Sequence, residues 1–192
     1  MSRHRQIAAL ACLGLLALPG SVRPLSGGDT ERSLEYPVKA AFLVNFAKFT
    51  EWPAESQQAQ ASVVTICVLG RDPFGDVLEK TAAGRSVGGR PIAIQRYRSL
   101  EGVEACHVLF IATSENERLA QILERLAAEP VLTVGEGDGF TRRGGVIGLV
   151  VESNLARFEV NLHAAQRTRL QLSSKLLGVA RVVEGGPTTL ER

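Results

Sequence analysis

Aromatic side chains are scarce in this chain of 192 residues: one Trp, two Tyr and seven Phe, 5% of the whole. Neither sign of charge dominates, with Lys plus Arg at 22 against Asp plus Glu at 20. A nucleic-acid groove needs a basic stripe with interleaved rings, so that class is set aside. Histidine is almost as rare. Beyond His4 there are only His107 and His163, and no pair at i, i+4 offers zinc its usual spacing. No G-x-S-x-G elbow occurs, so the common hydrolase nucleophile is absent. No internal repeat or low-complexity tract is present.

Long hydrophobic runs are nearly absent as well, and the one exception is informative. After Ser2-Arg-His-Arg5 the chain reads IAALACLGLLAL from Ile7 to Leu18, then Pro19-Gly20-Ser21. A basic start, a short apolar run and small residues form the pattern of an export signal, assigned to residues 1–25. The run is short for a membrane span. Cutting near Ser26 removes Arg3, Arg5 and Arg23 and leaves a nearly neutral mature chain.

Cysteine numbers only three. Cys12 lies inside the apolar run, which continues past it, so it does not end the run as a lipidated Cys would. Cys67 and Cys106 are left. An even pair in an exported chain points to a disulfide, with two buried thiols or a redox switch as the alternatives.

The rest has the size and 45% hydrophobic content of one ordinary domain. Residues 26–35 read as a flexible linker and 184–192 as a disordered tail. Val63–Leu69, His107–Ala112 and Pro130–Val134 are apolar on both faces, as buried strands are. Pro91–Tyr97 is a shorter strand. A helix from Asp72-Pro73 carries Phe74, Val77 and Leu78. A second, capped by Ser114 with Glu117 completing a capping box, carries Leu119, Ile122, Leu123 and Leu126. This β-α-β rhythm predicts an α/β fold: a single domain with a mainly parallel central sheet flanked by helices. Val146–Val151 and Ala156–Leu162, joined through Glu152-Ser-Asn154, predict a C-terminal antiparallel β-hairpin. Terminal helices over 163–169 and 174–183 complete the expectation.

Chemical motifs are weak. Gly70-Arg-Asp-Pro-Phe-Gly75 has phosphate-loop spacing without the Lys-Ser/Thr that would hold phosphate and magnesium, and reads as a strand-to-helix turn. Cys106 and His107 are adjacent in a strand and point to opposite faces, against a thiolate–imidazole pair. Glu136-Gly-Asp138-Gly139 is short of a calcium loop. Glu152 and Glu159 across the hairpin are the only paired-carboxylate candidates, and nothing else marks a sugar site. No catalytic residue, metal ligand or cofactor is assigned, and the expectation is a protein that is not an enzyme.

Two features point to binding instead. In VKAAFLVNFAKFTEWP, Val38, Phe42, Phe46, Phe49 and Trp52 gather on one helical arc, with Asn45 among them. The four residues up to Phe49 are expected to anchor a helix on the sheet, Asn45 to satisfy a backbone group, and Trp52 to reach the surface. The second hairpin strand alternates Phe158, Val160 and Leu162 with a polar face of Arg157, Glu159 and Asn161.

These segments, with ICVLGRDPFGDVL, CHVLFIATSE, PVLTVGEGDGF, GGVIGLVVESNLARFEVNLHAA and LQLSSKLLGVARVV in this order, resemble the YfiR-like family over residues 36–183. The resemblance implies a periplasmic α/β domain without known catalysis. The namesake represses a membrane-bound diguanylate cyclase through the cyclase's periplasmic sensor portion, and its release permits cyclic-di-GMP signalling and biofilm growth. By the same resemblance Cys67 and Cys106 match a family disulfide, and Trp52 matches the helix-ending W-P. Glu159 and Asn161 match a strand bordering a surface pocket, to which Gln171 and Ser173 are lining candidates. A second family cysteine pair near residues 139–149 is missing here. The expected partner is a membrane-bound diguanylate cyclase or, on the alternative of a small-ligand sensory module, a sensor kinase. No nucleic acid is expected, and a homodimer follows from the resemblance.

Overall fold

Trp52 ends a run that begins in α1, Gly27–Lys48, so the first helix starts within the stretch expected as linker. Past Pro37, which the helix contains, no Gly or Pro interrupts it as far as Lys48. The computed structural model describes residues 27–183 apart from 138 and 154, with side chains from 35 onward. The export signal over 1–25, the tail over 184–192 and Asn154 of the hairpin turn lie outside the described residues.

The buried side of α1 is Ala40, Leu43, Val44, Phe46 and Ala47. The expected aromatic arc is therefore rotated: Val38 faces solvent, while Phe42 and Phe49 are half-buried at its margins. Leu43 and Ala40 decide the inward face because they fit closely over the sheet, and Phe42 instead stacks along Phe46 and meets Phe158 edge-on at 5.4 Å.

After β1 (Thr50–Glu51), the stretch Glu55–Ser62 has the polar composition of a loop yet contains α2 (Gln57–Gln60), capped by the Ser56 side chain on the Ala59 N–H. Then follow β2 (Val64–Leu69), α3 (Val77–Ala82), β3 (Ser86–Val87) and β4 (Arg90–Tyr97). Helix α3 begins later than expected, because the Asp72 carboxylate accepts from Phe74 N–H at 2.7 Å and holds an Asx turn first. Strand β5 is Val108–Ile111, α4 is Leu119–Arg125 and β6 is Leu132–Glu136. The α4 stripe of Leu119, Ile122, Leu123 and Leu126 is buried as expected. Ser114 does not cap it; its hydroxyl accepts from the Arg71 N–H at 2.9 Å, and a 3-10 turn over Thr113–Glu115 intervenes.

The hairpin is present: β7 (Ile147–Glu152) pairs antiparallel with β8 (Leu155–Asn161). Helix α5 (Leu162–Arg167), β9 (Gln171–Leu172) and α6 (Ser174–Leu177) follow. The last expected helix stops early, and Arg181–Val183 forms β10 beside β8. Past Gly178, the Val-rich stretch gains more from the open sheet edge than from another helical turn.

One sheet holds eight strands in the order β10-β8-β7-β6-β5-β2-β4-β3. Strands β4, β2, β5, β6 and β7 are mutually parallel. In chain order these five run second-first-third-fourth-fifth, a doubly wound arrangement. Alternation splits the core between two faces. Val64, Ile66 and Val68 join α1 and α3 on one side. Cys67 and Leu69 join α4 on the other.

Candidate functional site

Cys67, mid-β2, and Cys106, just before β5, form a disulfide with Cα atoms 6.1 Å apart. Both are fully buried in the α4-side layer. Around the bridge the supposed loop does structural work. The buried Gln58 amide donates to the Glu104 carbonyl at 2.7 Å and to that of Cys106 at 3.3 Å. His107 stands beside it, buried, its ring 5.1 Å from that of Trp52 and edge-on.

Trp52 is thus a core residue, not a surface contact: only 9% of it is exposed. Helix α1 stops at Lys48, where Phe49 and Thr50 turn the chain inward, and the Thr50 hydroxyl donates back to the Phe46 carbonyl at 2.8 Å. The indole N–H has no acceptor among the described residues. Asn45 is half-buried and its amide makes no hydrogen bond among the described residues, contrary to expectation.

Glu159 and Asn161 alternate with Phe158 and Val160 as expected, yet their face is covered. The segment after β6 folds back over it. The Thr141 hydroxyl donates to Glu159 at 2.8 Å, and the Asn161 amide donates to the Thr141 carbonyl at 2.8 Å. Asn161 also accepts from the Ala164 N–H at 2.9 Å and so caps α5. Burial would raise the Glu159 pKa, but bonds from Arg181 and Thr141 outweigh it and hold the carboxylate below its ordinary value. Both residues are committed to internal partners. Ser173 caps α6 on Leu176 N–H, and Gln171 is an exposed member of β9 opposite Glu51. The structure brings Glu159 and Asn161 together, and sets Trp52, Gln171 and Ser173 around the β1–β9 corner. Arg157 lies apart on the hairpin.

Arg157 does line a surface feature. A hollow of about 230 Å³ lies between Val150, Arg157, Val179 and Arg181 beside the sheet edge. Val179 is 74% exposed there, and Leu155 of β8 and Val182 of β10 are exposed along the same border. Arg181 bridges Glu152 and Glu159. A wider hollow of about 460 Å³ opens at the opposite border between α3 and the β3–β4 pair.

At the carboxyl ends of the parallel strands the structure assembles residues that sequence reasoning passed over. Lys39 of α1 is buried and paired with Glu35 and with Glu136, the last residue of β6. Burial alone would lower its pKa; the bonds to the two carboxylates prevail and keep it raised. Clefts of about 350 Å³ and 390 Å³ meet here and share Tyr36, Thr113 and Glu136. The only signal in the chain was that G-R-D-P and A-T-S-E each follow a buried parallel strand.

A family model described as YfiR/HmsC-like matches residues 36–181. Among solved structures the chain is similar to an ABC domain from Streptococcus pneumonia in complex with L-Trp. That likeness has 11% identity and a TM-score of 0.50, and covers 75% of this chain and 62% of that one. A conserved domain protein from Vibrio cholerae O1 biovar eltor is also similar, at 13% identity and a TM-score of 0.47 over 62% of this chain and 54% of that one. This chain thus spans less than two thirds of either protein, and the first likeness concerns the α/β fold alone. With a family match over nearly all the described residues, the chain belongs to the YfiR/HmsC-like family.

Proposed function

We propose that the chain is a periplasmic regulatory protein that holds a membrane-bound diguanylate cyclase inactive by binding its periplasmic sensor portion. Family membership supports the regulatory role. The buried Cys67–Cys106 disulfide suits an oxidising compartment. The observation that carries the docking reading is the β8–β10 border, where Leu155, Val179 and Val182 are exposed near Arg157 and Arg181.

Among the described residues β10 is the last strand of its sheet, so its outer backbone groups offer an edge to another strand, and its flanking valines supply apolar contact. Repression then follows from a difference in affinity. The regulator binds the cyclase's inactive state more tightly and draws the population toward it.

Deleting the gene should raise cellular cyclic-di-GMP and biofilm, and the parent chain should reverse both. A Val179→Asp/Val182→Asp chain with parental circular dichroism and melting should fail to reverse them. Full repression by that variant, or no rise on deletion, would overturn the proposal.

A further inference from the structure

We propose that the crevice over the carboxyl ends of β2 and β5 is a binding site for a small anionic metabolite, held by the Arg71 guanidinium and neighbouring hydroxyls. The site is distinct from the docking border and does not depend on which membrane protein is regulated.

Topology creates the crevice. Strand β2 lies between β4 and β5. The chain leaving β2 enters α3, which packs on the α1 side through Leu78. The chain leaving β5 enters α4, which packs on the opposite side through Leu119 and Ile122. The two connections part over the sheet, and in doubly wound sheets such a switch point is where ligands settle. A cleft of about 350 Å³ occupies that position, lined by Tyr36, Arg71, Asp72, Thr113, Ser114 and Glu136 among others. That volume suits a small metabolite.

The two connections are locked together. Gly70 has φ +94°, and a Cβ there would lie 2.5 Å from Ser114 Oγ. Only glycine permits this approach, which lets the Ser114 hydroxyl accept from the Arg71 N–H at 2.9 Å. Arg71 therefore leaves the rim from a fixed backbone.

Charge then selects the ligand. The Asp72 carboxylate is taken by Arg96 Nε at 2.6 Å. The Glu136 carboxylate is taken by the buried Lys39. The Glu115 carboxylate behind Ser114 is taken by Arg118. Among the described residues Arg71 has no ion-pair partner and is the cleft's one uncompensated charge. Thr113 adds a hydroxyl to the lining. The Ser114 hydroxyl donates to Glu115 at 3.4 Å and the Tyr36 phenol, raised in pKa by burial and by Glu136, donates to Glu136 at 3.5 Å, both long bonds that an incoming anion would exchange for its own. A guanidinium with adjacent hydroxyl donors matches a carboxylate or a phosphate monoester.

The test is calorimetric titration of the purified full chain at constant ionic strength, with no partner present. The probes are malate, glycerol 3-phosphate, inorganic phosphate and, as the uncharged control, glycerol. At least one anion should saturate at one per chain and glycerol should not. Saturation by malate alone assigns a carboxylate ligand, and by the phosphates alone a phosphoryl ligand. Arg71→Ala should weaken binding at least about tenfold, as loss of one charge-assisted contact does, with the ligand-free melting temperature unchanged. Arg71→Lys should recover part of it. No saturation by any anion, or equal binding by Arg71→Ala, would overturn the site while leaving the docking border untouched.

Discussion

His107 holds Gln58 through its ring: Nε2 lies 2.8 Å from the Gln58 carbonyl oxygen. The other nitrogen, Nδ1, accepts from the Thr65 N–H at 3.1 Å. Together these bonds require the neutral tautomer protonated on Nε2. Burial keeps the pKa below the ordinary 6.5, outweighing the bond to Gln58, which favours the charged form. The unfolded chain therefore takes up its proton first as pH falls. Stability is fully present above about pH 6.5 and declines as pH drops from there toward the lower folded pKa. Urea midpoints measured from pH 7.5 to 5 should fall, and His107→Gln should flatten the slope in that window. Identical slopes for the two chains would refute this role.

The disulfide beside this ring should carry much of the fold's stability. It closes a separation of 39 residues, worth about 4 kcal/mol in the chain-entropy account. Its loss also loosens Cys106, whose carbonyl accepts from Gln58. Cys67→Ala/Cys106→Ala should lower the unfolding free energy by roughly that amount. The check is urea unfolding of parent and variant, with thiol labelling of the unreduced parent showing no free Cys67 or Cys106.

Trp52 offers a sharper contrast. Replacing its buried ring with alanine should cost about 3–5 kcal/mol through the cavity left against His107. Trp52→Phe should cost less, because it keeps a ring while removing an N–H that has no acceptor. Melting curves test the order. Repression by Trp52→Phe should match the parent at a temperature where both are folded, and a selective loss of repression would restore Trp52 as a contact residue.

These residues also mark how far the sequence could be read. Apolar runs at β2, β5 and β6, the α4 stripe and the β7–β8 alternation were legible because each is a local period imposed by burial. The same alternation placed Glu159 and Asn161 on one face but could not say what covers that face. The cover, Thr141, comes from a turn 18 residues away from Glu159. Ser114 looked like a helix cap, and tertiary contact with Arg71 took its hydroxyl instead. The rotation of α1 came from packing of Ala40 and Leu43 on the sheet, which no count of rings reveals. The strand-end crevice is harder still, since Tyr36, Arg71, Thr113 and Glu136 converge only once strand order is known.

The cover over Glu159 rests in turn on a ring seated between two glycines. A Cβ on Gly135 would come 2.2 Å from Phe140 Cε2, and one on Gly145 would come 2.0 Å from Cε1. Neither position admits a side chain while Phe140 stays in place, and Phe140 is nearly fully buried in the α4-side layer. Gly135→Ala should therefore push the ring out and cost about 1–3 kcal/mol, the usual range for overpacking. For a domain of this size each kcal/mol lowers the melting temperature by about 2–4 °C. Because Thr141 follows Phe140 directly, the displaced ring should also strain the Thr141–Glu159 bond. A smaller residue at 140 should relieve the clash, so Gly135→Ala/Phe140→Leu should lose less than the two single changes added together. Additive losses in the double variant would mean that Phe140 does not hold this position, and that Glu159 is covered in some other way.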